Sequence, residues 1–491
     1  MTILYSQIAD QLQQAFSQGA YQPGDRLPGV RILSRQFGVS ISTILQAHQL
    51  LEARGYLEAR ERSGYFVRHP HAQSPVPLVQ QDRPRPAPVT AQEMALELLS
   101  AAQDKRLVHL GAAVPHADFL PFRQIQQATA WAARQGAQTL DYAFPGNLAL
   151  RRQLAQRMTG NGCPTGPDEL VVTTGCQEAL ILALRAVTRA GDIVALESPA
   201  FPGILSALEL LELRAIEIPT DPVTGLSLEG LQLALEQWPI AACIAVPNHN
   251  NPLGCRMSDA RKQQLVGMLA AANVPLVEDD IYGDLTFGDR RPRPAKAFDT
   301  TGHVLYCSSF SKTISPGLRV GWINPGRYRE AVLQQKYFTN IASATIPQMA
   351  VAHFLEQGGY DRYLRSVRLR YQDSMERLRS AIARWFPDGT AVSRPVGGVV
   401  LWVELPPDCS GTTVYHRARA AGISVYPGKM FSTSDRFEHC LRLNAANPWN
   451  PTLEKALQTL GEICCGIARE SEPSAHDEDV KQALPEASTL G

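Results

Sequence analysis

The chain has 491 residues, with 47 Lys+Arg balanced by 47 Asp+Glu, and is 44% hydrophobic and 19% charged. At roughly 100–200 residues per domain this is chain for two to four structural units, and the composition excludes a mainly disordered protein. No apolar run approaches the roughly 18 residues of a membrane span, the start lacks a signal peptide's basic and apolar regions, and net neutrality excludes a globally basic nucleic-acid binder while leaving room for a local site.

Tyr5 to Phe16 reads as a helix with Ile8, Leu12 and Phe16 on one face. Gly24-Asp25-Arg26-Leu27-Pro28 is turn chemistry ahead of a second helix over about Val30 to Phe37. Gly38-Val39-Ser40 turns into a third, from about Ser42 to Arg54, with Ile44, Ala47, Leu50 and Leu51 as its buried face and Gly55 as its stop. The run Tyr56 to Ala59, a turn over Arg60 to Gly64, and Tyr65 to Val67 predict a β-hairpin. Three helices and a hairpin make a winged helix-turn-helix, whose third helix can enter a major groove. A small oligomerisation or protein-binding module is the alternative. Small polar residues open the third helix (Ser40, Ser42, Thr43, Gln46), and Arg31, Arg35, Arg60 and Arg62 lie on or beside that face. Each arginine alone reads as a solvated charge; together they suit phosphate contact.

Prolines then cluster between His69 and Thr90 (Pro70, Pro75, Pro77, Pro84, Pro86, Pro88), so residues 70–92 form an extended, semi-rigid linker between a first unit (1–69) and a second (93–468). In the second unit, short apolar runs (Leu170 to Thr174, Ile193 to Glu197, Ala215 to Pro219, Ala242 to Pro247, Pro275 to Glu278, Val304 to Ser308) alternate with amphipathic segments such as Glu178 to Ala190, Gly203 to Leu211 and Asp259 to Ala272. That alternation predicts βα units around a mostly parallel sheet. A smaller subdomain is expected from about residue 360, and residues 469–491 form a polar tail expected to be disordered. The nine cysteines are scattered without CxxC spacing, which argues against a disulfide framework and against structural zinc, so no metal site is expected and the cytoplasm is the expected compartment.

Only eight residues are lysines, none before Lys105, so a catalytic lysine has few candidates. Lys312 lies just beyond a strand, with Ser309 and Ser311 before it and Arg319 after it. Its amine could condense with an aldehyde cofactor while the hydroxyls and Arg319 bind a phosphate. Alone, this would equally suit a surface lysine in a Ser-rich loop. Glu278-Asp279-Asp280-Ile281-Tyr282 offers a carboxylate for a pyridine nitrogen and a phenol for a ring oxygen, although acidic loop residues after a strand need no such role. Pro247 to Gly254 supplies an amide at Asn251, with turn chemistry as the simpler account, and Thr173 to Glu178 passes from strand to helix as a phosphate cradle would.

These motifs, in this order over about 375 residues, resemble the fold-type I, class I/II aminotransferases. The resemblance implies pyridoxal 5'-phosphate (PLP) held as an aldimine at Lys312, with Asp279 on the pyridine nitrogen and Asn251 and Tyr282 on the ring oxygen. It assigns phosphate binding to Cys176, Gln177, Ser309, Ser311 and Arg319, ring stacking to Phe201, a reach into the partner subunit to Tyr142, and a substrate or effector carboxylate to Arg442. Cys176 departs from the usual serine or alanine, and Phe201 from the frequent tyrosine. Residues 4–68 resemble the GntR-family DNA-binding domain (LYSQIADQL, QPGDRLPGVRILSRQFGVS, LLEARGYLEARERSGYFV), implying DNA contacts near Arg31, Ser42, Thr43 and the wing tip Ser63-Gly64. Ile41 stands where that family often has arginine. The whole arrangement resembles the MocR subfamily of bacterial regulators. It implies a homodimer on double-stranded promoter DNA, often domain-swapped, that senses PLP or an amino-acid or amine effector. A class I/II aminotransferase with a DNA-binding appendage is the other reading, with transamination left open in both.

Overall fold

The computed structural model describes residues 4–18, 20–22, 24–53, 56–60, 64–67, 74–79, 84–89, 94–288 and 290–470. The expectations for Gly55, Arg62, Ser63 and the tail after Glu470 lie outside the described residues.

The amino-terminal unit is three helices, α1 (Leu4–Ser17), α2 (Val30–Phe37) and α3 (Ile41–Ala53), and an antiparallel hairpin of β1 (Leu57–Arg60) and β2 (Gly64–Val67). Gly38 ends α2 with φ 65°, a left-handed turn that glycine adopts without steric cost. Ser40 starts α3, its hydroxyl accepting from the Thr43 N–H at 3.1 Å. Ile8, Leu12, Leu33, Ile44, Ala47 and Leu51 close the core, while Leu50 is half-buried rather than fully inside. His48 takes the place expected for an apolar residue, with its ring 4.5 Å from that of Tyr65.

The remaining strands are β3 (Ala87–Pro88), β4 (Val108–His109), β5 (Val171–Thr173), β6 (Ile193–Ser198), β7 (Arg214–Asp221), β8 (Gly225–Leu226), β9 (Ile240–Ala245), β10 (Leu276–Asp279), β11 (Val304–Ser309), β12 (Gly321–Asn324), β13 (Ala391–Val392), β14 (Val400–Glu404), β15 (Ile423–Ser424), β16 (Tyr426–Pro427) and β17 (Cys440–Asn444). The main sheet runs β3-β7-β6-β9-β10-β11-β12-β5, with β8 on β7. Along the path from β7 to β11 every pairing is parallel; β3 and β12 run antiparallel to this core, and β5, antiparallel to β12, runs in the core's direction. Every residue of β6 is buried, as a parallel strand covered by helices on both faces must be. Helices Cys176–Val187, Pro202–Leu210 and Asp259–Ala271 are among those covers.

A smaller sheet, β13-β14-β17-β16, packs with helices Gly411–Ala420 and Pro451–Glu470 around Trp402, Leu441, Leu443 and Leu460. This core also draws Leu98 and Leu110 from the segment before the main sheet, and β4 pairs with β15. The smaller unit is therefore built from both ends of the second domain.

The described linker residues do not stand free of the body. The Pro75 carbonyl accepts from the Val392 N–H at 2.8 Å, and Ala87–Pro88 extends the edge of the main sheet. Proline lacks an N–H, so it can join a sheet at an edge and accept but not donate. Pro77 and Leu78 border a cleft walled by Pro199 and Leu253 on one side and Trp402 and Phe437 on the other.

Candidate functional site

Ligands of open parallel sheets sit beyond the carboxyl ends of the strands, and here those ends converge. Asp279 is the last residue of β10, Ser309 the last of β11, and Gly175 follows β5 at the start of the helix Cys176–Val187. Asn251 lies in the loop after β9, Phe201 precedes the helix Pro202–Leu210, and Arg442 is central in β17 of the smaller sheet. The site thus straddles the two halves of the domain.

Lys312 lies in the turn after β11, half-buried, its Nζ donating to the Ala113 carbonyl at 2.6 Å. Burial brings its amine down to about 8; the nearby cations of Arg442 and Arg319 push the same way, and the Asp279 carboxylate opposes them. Asp279 is 4% exposed. Burial raises its carboxyl to about 6 against the hydrogen bond it accepts from the Ile281 N–H. The Cys176 Sγ lies 3.6 Å from the Asp279 Oδ1, and burial holds that thiol protonated well above its ordinary range. Cys176 is therefore a donor to Asp279, not a nucleophile.

At the start of the helix Cys176–Val187, Gly175 has φ 82° and ψ 174°. The Arg319 guanidinium lies directly over it: a Cβ at Gly175 would come within 2.5 Å of Arg319 Nη2, which donates to the Thr174 carbonyl at 3.0 Å. The first N–H groups of a helix have no acceptor within it. Together with Arg319 they form an anion cradle. Ser309 and Ser311 are buried beside it, the Ser309 Oγ accepting from the Ser311 N–H at 3.3 Å. The Gln177 amide is turned away, donating to the Gly203 carbonyl at 2.7 Å. Phe201 is half-buried over that same glycine.

On the opposite side Arg442 is 3% exposed. Its guanidinium lies over Tyr426 (4.5 Å) and Phe431 (5.1 Å), donating to the Asn251 Oδ1 at 3.2 Å and the Gly111 carbonyl at 2.8 Å. Its Nε has no partner among the described residues. Tyr282 is buried, and burial raises its phenol above its ordinary range. Of the remaining candidates, Tyr142 is 78% exposed. Arg319 and Arg442 thus bring two positive charges to the surroundings of Lys312 and Asp279, an arrangement suited to an anionic ligand.

Several neighbours were not among the expected residues. The Gly111 and Ala113 carbonyls carry no side-chain signature. Asp280, next to Asp279, turns to the other side: its Oδ2 accepts from Arg291 (2.5 Å) and from the Tyr306 hydroxyl (2.9 Å), and its Oδ1 from Asn248 (3.0 Å). His249 is fully buried, both ring nitrogens unpartnered among the described residues, against Gly397.

In the amino-terminal unit, Arg31, Arg35, Ser40, Ser42, Gln46, Arg60 and Gly64 are exposed and Thr43 is half-buried. The Ser40 hydroxyl lies 2.8 Å from that of Ser42 and 2.7 Å from that of Thr43, a polar knot at the start of α3. Among the described residues no helix is long and apolar enough to cross a membrane.

Fold and site define a class I and II aminotransferase domain, and that family matches residues 106–460; the bacterial regulatory proteins of the gntR family match residues 4–67. The chain belongs to the HTH-type transcriptional regulators that join these two parts, the MocR architecture. It is 40% identical to the uncharacterized HTH-type transcriptional regulator YjiR of Escherichia coli (strain K12), over 93% of this chain and 98% of that protein. It is 36% identical to YdcR, a second uncharacterized HTH-type regulator of the same organism, over 94% and 98%. Among solved structures, the α-aminoadipate aminotransferase LysN of Thermus thermophilus superposes with a TM-score of 0.71 at 26% identity, covering 78% of this chain and 96% of that one.

Proposed function

We propose that this protein is a cytoplasmic regulator of promoter DNA whose aminotransferase domain holds PLP at Lys312 and responds to PLP itself or to a carboxylate-bearing amino compound. One observation carries the reading: a lysine amine brought down to about 8 faces a buried carboxylate, with Arg319 at a glycine-lined helix start on one side and Arg442 on the other. These residues fit the cofactor, since the cradle exists only because Gly175 lacks a Cβ and the Arg442 Nε lacks a partner among the described residues.

PLP supplies an aldehyde for a lysine amine and an electron-withdrawing ring. The protein's part is positional. Lys312 presents an amine that is substantially unprotonated near pH 8 and can hold or release a proton at Nζ. Asp279, ionised at neutral pH, would face the ring nitrogen; Asn251 and Tyr282 would hold the ring oxygen and Phe201 the ring face. Cys176, Gln177, Ser309, Ser311 and Arg319 would bind the phosphate, mainly through the helix start and Arg319. Arg442 would turn its fork to an effector carboxylate, geometry that lysine could not reproduce. Because Asn251 and Arg442 belong to different halves of the domain, a ligand gripping both favours one relative setting of the halves, which is what a two-state switch requires.

Exposed apolar side chains suit the dimer that this reading requires. Leu140 (86%), Tyr142 (78%), Phe338 (71%) and Tyr337 (55%) are exposed, an apolar surface suited to dimerisation, from which Tyr142 would reach the partner's site. The amine at Lys312 also favours a second reading, a working class I/II aminotransferase.

The test is visible absorption of PLP-loaded protein titrated with amino acids and amines, with and without a keto acid. A spectral change that stops at one bound state, accompanied by altered promoter binding, is expected of a regulator. Multiple turnovers of amino-group transfer to the keto acid, without any change in DNA binding, would overturn the regulatory reading.

A further inference from the structure

Up to Gln49 the exposed residues of α3 are Ile41, Ser42, Leu45, Gln46 and Gln49, with Glu52 exposed beyond them, while Ile44, Ala47, His48 and Leu51 point inward. Helix neighbours stand three or four residues apart, so the first five form two ridges. Ser42 and Gln46 make a polar one; Ile41 (43% exposed) and Leu45 (38%) make an aliphatic one beside it. A single exposed aliphatic residue needs no explanation. Two in successive turns, at the amino-terminal end of the helix that reads base edges, do. None of the five side chains is a cation, so this face has no bidentate partner for guanine O6 and N7. The cations stand around it: Arg31 and Arg35 on α2 and Arg60 at the wing are exposed, and the Ser40–Ser42–Thr43 hydroxyl knot lies at the helix start. The surroundings match a phosphate backbone, and the centre is half aliphatic and half amide.

Resting on the DNA-binding reading above, we propose that Ile41 and Leu45 read thymine 5-methyl groups in the major groove, with Gln46 beside them facing adenine, so that each half-site carries adenine–thymine pairs beneath the first two turns of α3. The thymine methyl is the one apolar feature of the major-groove edge, and adenine N6/N7 is the pattern a glutamine amide matches. An arginine at position 41 would select guanine instead, so Ile41 turns this position away from guanine.

The experiment begins with selection of duplexes from a random pool by the full-length PLP-loaded protein. Each thymine of the selected half-site is then replaced by deoxyuridine, which removes only the methyl. Expected is a loss of about fourfold in affinity at the positions beneath α3, the equivalent of about 0.8 kcal/mol for one buried methyl. Ile41→Ala should cancel that penalty at one position and Leu45→Ala at another, and Ile41→Arg should shift the selected base towards guanine. Both side chains are exposed, so these variants should fold. A selected operator indifferent to methyl removal, or a penalty unchanged in both alanine variants, overturns the inference alone and points to a protein surface as the partner of this ridge. Selection of no duplex at all would refute the DNA-binding reading together with it.

Discussion

Gly175→Ala is the most informative single change at the phosphate end. At φ 82° and ψ 174° the backbone occupies a region that is essentially glycine-only, costing about 1–3 kcal/mol for any other residue. The new methyl would also lie within 2.5 Å of Arg319 Nη2 and 2.9 Å of its Cζ. Arg319 is a long side chain and would swing aside, giving up its hydrogen bond to the Thr174 carbonyl and its aim at the cradle. A hydrogen bond to a charged group is worth about 1.5–3 kcal/mol, which corresponds to a loss of roughly 10- to 150-fold in PLP affinity. Equilibrium titration with PLP reads the affinity, and denaturant unfolding of the apoprotein reads the backbone cost. Arg319→Lys, which keeps the charge but loses the fork, should weaken PLP binding without the backbone cost. If Gly175→Ala lost stability yet kept PLP affinity within about twofold, Arg319 and the helix start would not be the phosphate site.

Borohydride-trapped attachment of PLP at Lys312 should rise with pH around a midpoint near 8, because only the unprotonated amine attacks an aldehyde; a midpoint near 10.5 would mean the amine is not desolvated. Lys312→Ala should abolish the effector response while leaving basal DNA binding intact. Arg442→Ala should remove the response to carboxylate effectors but not to PLP, measured by promoter binding with each. His48 is fully buried and brought down to about 4 by that burial, from 6.5 in an unfolded chain. The unfolded state therefore binds the extra proton first, and the stability of the winged helix should fall as pH drops from about 6.5 to 4, by at most about 3 kcal/mol. Hydrogen exchange of residues 4–67 in the full chain should reveal this loss, and His48→Leu should flatten it.

The parallel core was legible because its strands are buried on both faces. Ile193–Ser198 and Val304–Ser309 read as short apolar runs and lie within a residue of the expected bounds. Asp279 and Asp280 mark where pattern alone stops. Both are acidic and adjacent, but successive strand side chains point to opposite faces, so Asp279 turns to Cys176 while Asp280 turns to Arg291 and Tyr306. Only the surrounding motifs singled out the first. The backbone carbonyls holding Lys312 and Arg442 could not be anticipated, since any residue type provides one. His48 is not among the expected core residues of the third helix, since the packing of its ring on Tyr65 leaves no mark in the spacing of apolar residues. The attachment of the proline segment rests on the Val392 N–H and the exposed edge of β7, features of the fold rather than of the prolines.

That attachment sets a leash length. Pro75 is eight residues beyond Val67, the last residue of the wing. A fully extended chain spans at most about 3.5 Å per residue, so the reading head can stray roughly 28 Å from where Pro75 is pinned. Were that pin to let go, the next strand pairing among the described residues would be at Ala87, 20 residues from Val67, and a chain held only there would reach roughly 70 Å. With duplex DNA advancing about 3.4 Å per base pair, the short leash lets each head range over roughly eight base pairs and the long one over roughly twenty. The pin lies on the smaller half of the domain, so a movement of the two halves measured in ångströms could alter, in whole helical turns, which pairs of half-sites can be occupied together.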